Sequence, residues 1–135
     1  MTYAFPPFGL GMCEPKRPKK KSTPEKAVQK AIQDAFRLKF GIALVRVDSG
    51  AAGMRRGQAA GQGGYSSTPA GFPDLVGCFP PSGRAVYIEV KAPGGKLTQA
   101  QESMLAILKA KGAIAFWADS VASALAQFAE QAVAA

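Results

Sequence analysis

The run Arg84-Ala85-Val86-Tyr87-Ile88-Glu89-Val90-Lys91 constrains this chain more than any other part of it. Successive side chains of an extended chain point to opposite faces, so Val86, Ile88 and Val90 share one face and Tyr87, Glu89 and Lys91 the other. The run therefore reads as a strand with one face in an apolar core and an acid beside an ammonium on the opposite face. A second strand-like run, 72–79, precedes it across the turn Pro80-Pro81-Ser82-Gly83, and a hairpin of the two brings Asp74 alongside Glu89 and Lys91. Carboxylates that meet at one point repel each other and usually share a cation, and oxygen-only ligation suits Mg²⁺ or Mn²⁺ rather than zinc. In a chain with nine acids and a formal charge of +8, such a site points first to an enzyme acting on nucleic-acid phosphates.

The absences are as informative. With no histidine and only Cys13 and Cys78, zinc sites and Ser/His or Cys/His catalysis are excluded. The two cysteines lie far apart in sequence and fit a reducing compartment without a structural disulfide. No apolar stretch approaches the ~20 residues of a membrane-spanning helix, and the charges of the N-terminus follow its apolar run, the wrong order for a secretory signal. The 135 residues suffice for one domain with a real core.

Residues 1–22 contain prolines, glycines and the basic residues Lys16, Arg17, Lys19, Lys20 and Lys21, and read as a flexible tail. The tail is either a solvated leader or an arm that seeks phosphates. Ser22 or Thr23 then caps a helix with Pro24 in its first turn; Val28, Ile32, Ala35 and Phe36 form its buried stripe and Gly41 ends it. Glu25 stands three residues before Val28, on the apolar face, where it either favours the helix dipole or aims at a site. Residues 42–47, rich in β-branched side chains, predict the first strand. The glycine-rich segment 48–70 carries Arg55 and Arg56, and is either an ordinary excursion or a flap that touches substrate. Asp48 within it is either an additional metal ligand or, more simply, part of an Asp-Ser-Gly turn.

After Pro93-Gly94-Gly95 the pattern predicts a helix over 98–111, with Gln101, Met104, Leu105 and Leu108 facing inward and a capping box between Thr98 and Gln101. A fourth strand over 113–118 and a last helix opened by Asp119 or Ser120 complete the chain. The expected product is a three-layer α/β domain over 23–135.

Phosphodiester hydrolysis needs a nucleophilic water, a shield for charge on the phosphate and a proton for the departing oxygen. Asp74 and Glu89, with the main-chain carbonyl of Val90, are the candidate cation ligands; Lys91 is the candidate to orient water and stabilise negative charge, and Glu25 to complete the acidic cluster. The bland alternative is a surface ion pair between Glu89 and Lys91, worth about 0–1 kcal/mol. A small basic structural protein would explain the charge but not acids on interior faces.

Four motifs in order decide between them: Glu25 on a leading helix, Gly-Phe-Pro-Asp-Leu at 71–75, Ile-Glu-Val-Lys at 88–91 and Gly-Gly-Lys-Leu-Thr-Gln-Ala-Gln at 94–101. Together they resemble the VRR-NUC branch of the PD-(D/E)XK nuclease superfamily, in particular its short stand-alone phage and bacterial members. The resemblance covers roughly residues 23–118. It implies a restriction-endonuclease-like fold with a central mixed sheet flanked by helices, and a nuclease dependent on Mg²⁺ or Mn²⁺. It also implies DNA as substrate, branched in some relatives, a homodimer, and a cytoplasmic place in a bacterial or phage-infected cell. It gives Gln101 a role near the active site, in competition with its capping role. Nothing is carried over to the tail or to segment 48–70, whose basic residues are candidates for DNA binding by charge alone. A nuclease fold kept only for binding would usually lose a ligand or the lysine, and here Asp74, Glu89 and Lys91 are all present.

Overall fold

The computed structural model describes residues 22–47 and 68–133. Its elements run α1 (Pro24–Phe40), β1 (Val45–Arg46), β2 (Leu75–Phe79), β3 (Arg84–Val90), α2 (Gln99–Ala110), β4 (Ile114–Ala118) and α3 (Val121–Val133). The four strands form one mixed sheet in the order β1-β2-β3-β4, antiparallel up to β3 and parallel between β3 and β4. The helix between β3 and β4 is the crossover that a parallel pair requires.

The register sorts the side chains into two faces. Val86, Ile88 and Val90 stand opposite Ile114, Phe116 and Ala118 on β4, and all six belong to a core that also holds Ile32 and Phe36 of α1 and Ala124 and Phe128 of α3. Helices α1 and α3 thus cover one face. Helix α2 lies on the other, where its Leu105 shares a cleft with Ala115 and Trp117. This is the three-layer α/β arrangement that the element order predicts.

Phe128 makes ring contacts with Phe36, Phe40 and Phe79. These contacts pin the C-terminal half of α1 to the hairpin end of β2 and β3. At the other end of α1, Glu25 is near enough for its charge to act on Glu89.

Two strands are shorter than their composition predicts, each for a local reason. Residues 42–44 do not join the ladder. A Cβ on Gly77 would lie 3.0 to 3.1 Å from Leu44, Ala43 and Ile42, so this segment crosses close over the face of β2, with Ile42 and Leu44 buried. Strand β2 begins at Leu75 rather than Phe72, because Gly71 has φ +78° and Pro73 has no N–H to donate to a ladder. The outer edge of β4 is closed by side chains: Gln131 of α3 both accepts from the Ala115 N–H and donates to its carbonyl, each at 3.0 Å. A side-chain amide here takes the place of a further strand.

Candidate active site

Helix α1 starts at Thr23 and Pro24 and ends at Gly41, whose φ of 67° is the left-handed conformation that suits glycine. Glu25 in its first turn is exposed. Strand β3 delivers Glu89 and Lys91 to the face covered by α2. Asp74 immediately precedes β2, and extending the antiparallel register from Leu75 and Ile88 sets Asp74 across from Glu89. Its backbone is tied to the first strand, since the Val47 N–H donates to the Asp74 carbonyl at 2.7 Å. Its side chain is aimed by β3: Asp74 Oδ2 accepts from the Val90 N–H at 3.0 Å.

Glu89 is only 2% exposed. Its Oε1 accepts from Lys91 Nζ at 2.8 Å and from Gln101 Nε2 at 2.5 Å. Its Oε2 is buried and has no partner among the described residues. The ion pair is not a solvated surface pair, because the Lys91 side chain is only 16% exposed. Burial pushes the Glu89 carboxyl above the ordinary carboxylate range. The Lys91 hydrogen bond and charge oppose that rise, while the charges of Asp74 and Glu25 add to it. A buried carboxylate oxygen without a donor is costly, and a hard cation is the partner its chemistry suits.

Gln101 resolves the competition between capping and the site by doing both. Its Oε1 accepts from the Thr98 N–H at 2.9 Å, and its N–H donates to Thr98 Oγ1 at 3.3 Å, which completes the capping box of α2. The other end of the same amide holds Glu89. The first turn of α2 also receives the loop before Asp74. A Cβ on Gly71 would stand 2.4 Å from the Ala100 carbonyl oxygen and 2.8 Å from the Gln101 nitrogen. Gly71 thus lets the backbone carrying Asp74 lie against the turn that holds Glu89. In the sequence Gly71 is one residue of the Gly-Phe-Pro-Asp-Leu motif, with no local sign of this long-range contact.

Glu25 stands apart. Its charge reaches Glu89, yet among the described residues no three of His, Cys, Asp or Glu converge tightly enough to hold a metal. The structure therefore brings Asp74, Glu89, Val90, Lys91 and Gln101 together and leaves Glu25 at the rim. Lys16, Arg17, Lys19, Lys20, Lys21, Arg55, Arg56 and Asp48 lie outside the described residues.

An acid on the strand entry, an acid and a lysine two residues apart on the next strand, and a glutamine at the start of the following helix form one constellation. The family model of the VRR-NUC domain matches residues 23–122, a span that includes every member of it. The chain belongs to the VRR-NUC domain family. No curated protein and no solved structure matches it. As a VRR-NUC domain it is of nuclease type, and none of its described helices is long and apolar enough to cross a membrane.

Proposed function

We propose that this VRR-NUC domain is a DNA endonuclease dependent on Mg²⁺ or Mn²⁺, with Asp74, Glu89 and the Val90 carbonyl as cation ligands. The observation that carries the reading is Glu89: one oxygen accepts from two donors while the other is buried without any. Bound there, the cation would supply charge stabilisation on the phosphate and a water of lowered pKa.

The remaining chemistry belongs to the chain. The Val90 N–H holds Asp74 Oδ2 and so fixes which oxygen is left to ligate. Gln101 holds the Glu89 carboxylate against rotation. Lys91, largely buried and close to Glu89, orients the attacking water and stabilises negative charge that develops on the phosphate. Glu25, exposed at the rim, acts through solvent on the same cluster. The basic tail and the Arg55-Arg56 segment supply phosphate attraction rather than chemistry, in keeping with the +8 charge.

Branched DNA is the substrate class that fits the resemblance to short stand-alone members. A two-fold homodimer would then supply a pair of active sites, and the mass in solution with and without DNA tests that assembly. A panel of labelled linear, nicked, flapped and four-way DNAs, with Mg²⁺, Mn²⁺ or EDTA, tests the activity. Cleavage that requires the cation and leaves 5′-phosphate ends supports the reading. Tight DNA binding with no cleavage under any cation supports instead a nuclease fold kept for binding.

A further inference from the structure

Lys91 is joined to the first turn of α2 by the segment 92–98, and three contacts hold that segment beside the site. The Gly95 N–H donates to the Ala92 carbonyl at 2.8 Å, closing a turn with Pro93 and Gly94 at its corners. Gly94, at φ 81°, takes the left-handed value that the second corner of a type II turn needs. The turn folds back on the lysine it follows: a Cβ on Gly95 would stand 3.1 Å from the Lys91 Cβ. Leu97 then lines the cleft of Leu105 and Trp117, and Trp117 is the β4 partner of Glu89. Thr98 closes the capping box with Gln101, whose amide holds Glu89. Lys96 therefore stands between a glycine seated on Lys91 and a cap tied to Glu89, its Cα about 3.8 Å from that of Gly95. It is exposed and enters no ion pair among the described residues, whereas Lys91 is paired with Glu89 at 2.8 Å.

We propose that Lys96 is a further substrate-binding residue of this site, and that its ammonium holds a backbone phosphate of the DNA next to the one that is cleaved. This inference rests on the nuclease reading above. The site sets Asp74 and Glu89, with the charge of Glu25 near them, against the single ammonium of Lys91, and Glu89 already balances that ammonium. A polyanion approaching such a cluster is repelled, so an uncommitted lysine beside it supplies the missing attraction. Lysine meets a phosphate as a point charge on a flexible stem, so what it needs from the fold is a fixed root. The turn on Lys91, the seated Leu97 and the capping box provide that root. A phosphate contact of this kind positions the strand over the cluster and reads no base, as a choice by DNA shape rather than sequence requires.

The test compares wild type, Lys96→Ala and Lys96→Arg in the full chain with Lys111→Ala, a control just past the other end of α2. Both lysines are exposed, so every variant should unfold in EDTA at the wild-type temperature. Binding to a labelled DNA duplex in EDTA is then followed from about 0.1 M to about 1 M salt. Loss of one phosphate contact in Lys96→Ala flattens the log–log slope by about 0.9, which is about eightfold weaker binding at 0.1 M salt and none at 1 M. Lys96→Arg and Lys111→Ala keep the wild-type slope. In cleavage, Lys96→Ala raises KM by the same factor and leaves kcat nearly unchanged. Single uncharged methylphosphonate linkages on either side of the mapped cleavage position locate the contact: at one of them wild type loses that factor and Lys96→Ala loses nothing more. An unchanged slope in Lys96→Ala, an equal loss in Lys111→Ala, or equal sensitivity of wild type and Lys96→Ala to every linkage would overturn the proposal. If wild type binds DNA and cleaves it with no cation, the nuclease reading fails while the salt slopes still decide the contact, so the two failures are distinguishable.

Discussion

Gln101 offers the sharpest perturbation, because its two ends do different work that two substitutions can separate. Its carbonyl closes the capping box with Thr98, a neutral and exposed hydrogen bond worth about 1 kcal/mol. Its amino group holds the nearly buried Glu89 carboxylate, a charge-assisted bond worth about 2 kcal/mol. Gln101→Ala loses both and should destabilise the domain by about 3 kcal/mol, read from urea unfolding in EDTA at neutral pH. Gln101→Glu keeps the cap, since glutamate serves as well at that position of the box. It should recover only the first kilocalorie, because its carboxylate faces Glu89 with no donor. On acidification one carboxyl of the new pair takes up a proton and can donate, so the deficit of Gln101→Glu should shrink while that of Gln101→Ala persists. Both variants should cleave DNA poorly. A Gln101→Glu protein as stable as wild type at neutral pH would refute the reasoning, for it would leave the Glu89 bond without weight.

Three other outcomes follow from the same geometry. Lys91→Ala should lose cleavage while Mn²⁺ binding, followed by paramagnetic resonance, persists; Lys91→Arg should rescue poorly because a planar fork does not place its charge where an ammonium sits. Gly71→Ala should cost about 1–3 kcal/mol from its positive φ alone. The new Cβ also meets the Ala100 backbone at 2.4 Å, so calorimetry should register a lowered unfolding temperature, and retained wild-type activity and stability would contradict the contact. The raised Glu89 pKa makes folding favour the protonated carboxyl. In EDTA that contribution is fully present below the unfolded pKa and lost as pH rises through the folded one, so wild type should lose stability relative to Glu89→Gln over that window. Thermal unfolding of both proteins from about pH 4 to about pH 8 checks this, and a constant difference would count against it.

Much of this was legible in the residues because period and charge agreed. The alternation at 84–91 specified both the core face and the Glu89–Lys91 face, and β3 occupies that run but for its last residue. The order of the seven elements was likewise set by caps and breakers that act locally, such as Gly41, Thr98 and Gly112. What escaped was long-range. Nothing in the run 42–47 says that most of it crosses over Gly77 instead of pairing, because that depends on a missing side chain thirty-odd residues away. Gln101 looked like a choice between two roles because spacing alone does not show that one amide has two usable ends. The closing of the β4 edge by Gln131 and the contact of Gly71 with α2 also join parts of the chain whose sequences carry no mark of each other.

The central claim is that Asp74 and Glu89 hold the cation on which cleavage depends. It is tested most directly by assaying wild type, Asp74→Ala and Glu89→Ala side by side for Mn²⁺ binding, DNA binding and cleavage of labelled DNA. The account predicts that each substitution abolishes cleavage and Mn²⁺ binding while DNA affinity holds or rises, since removing an acid removes local repulsion of phosphate. Wild-type cleavage in either variant would show that the cation is held elsewhere and contradict the account.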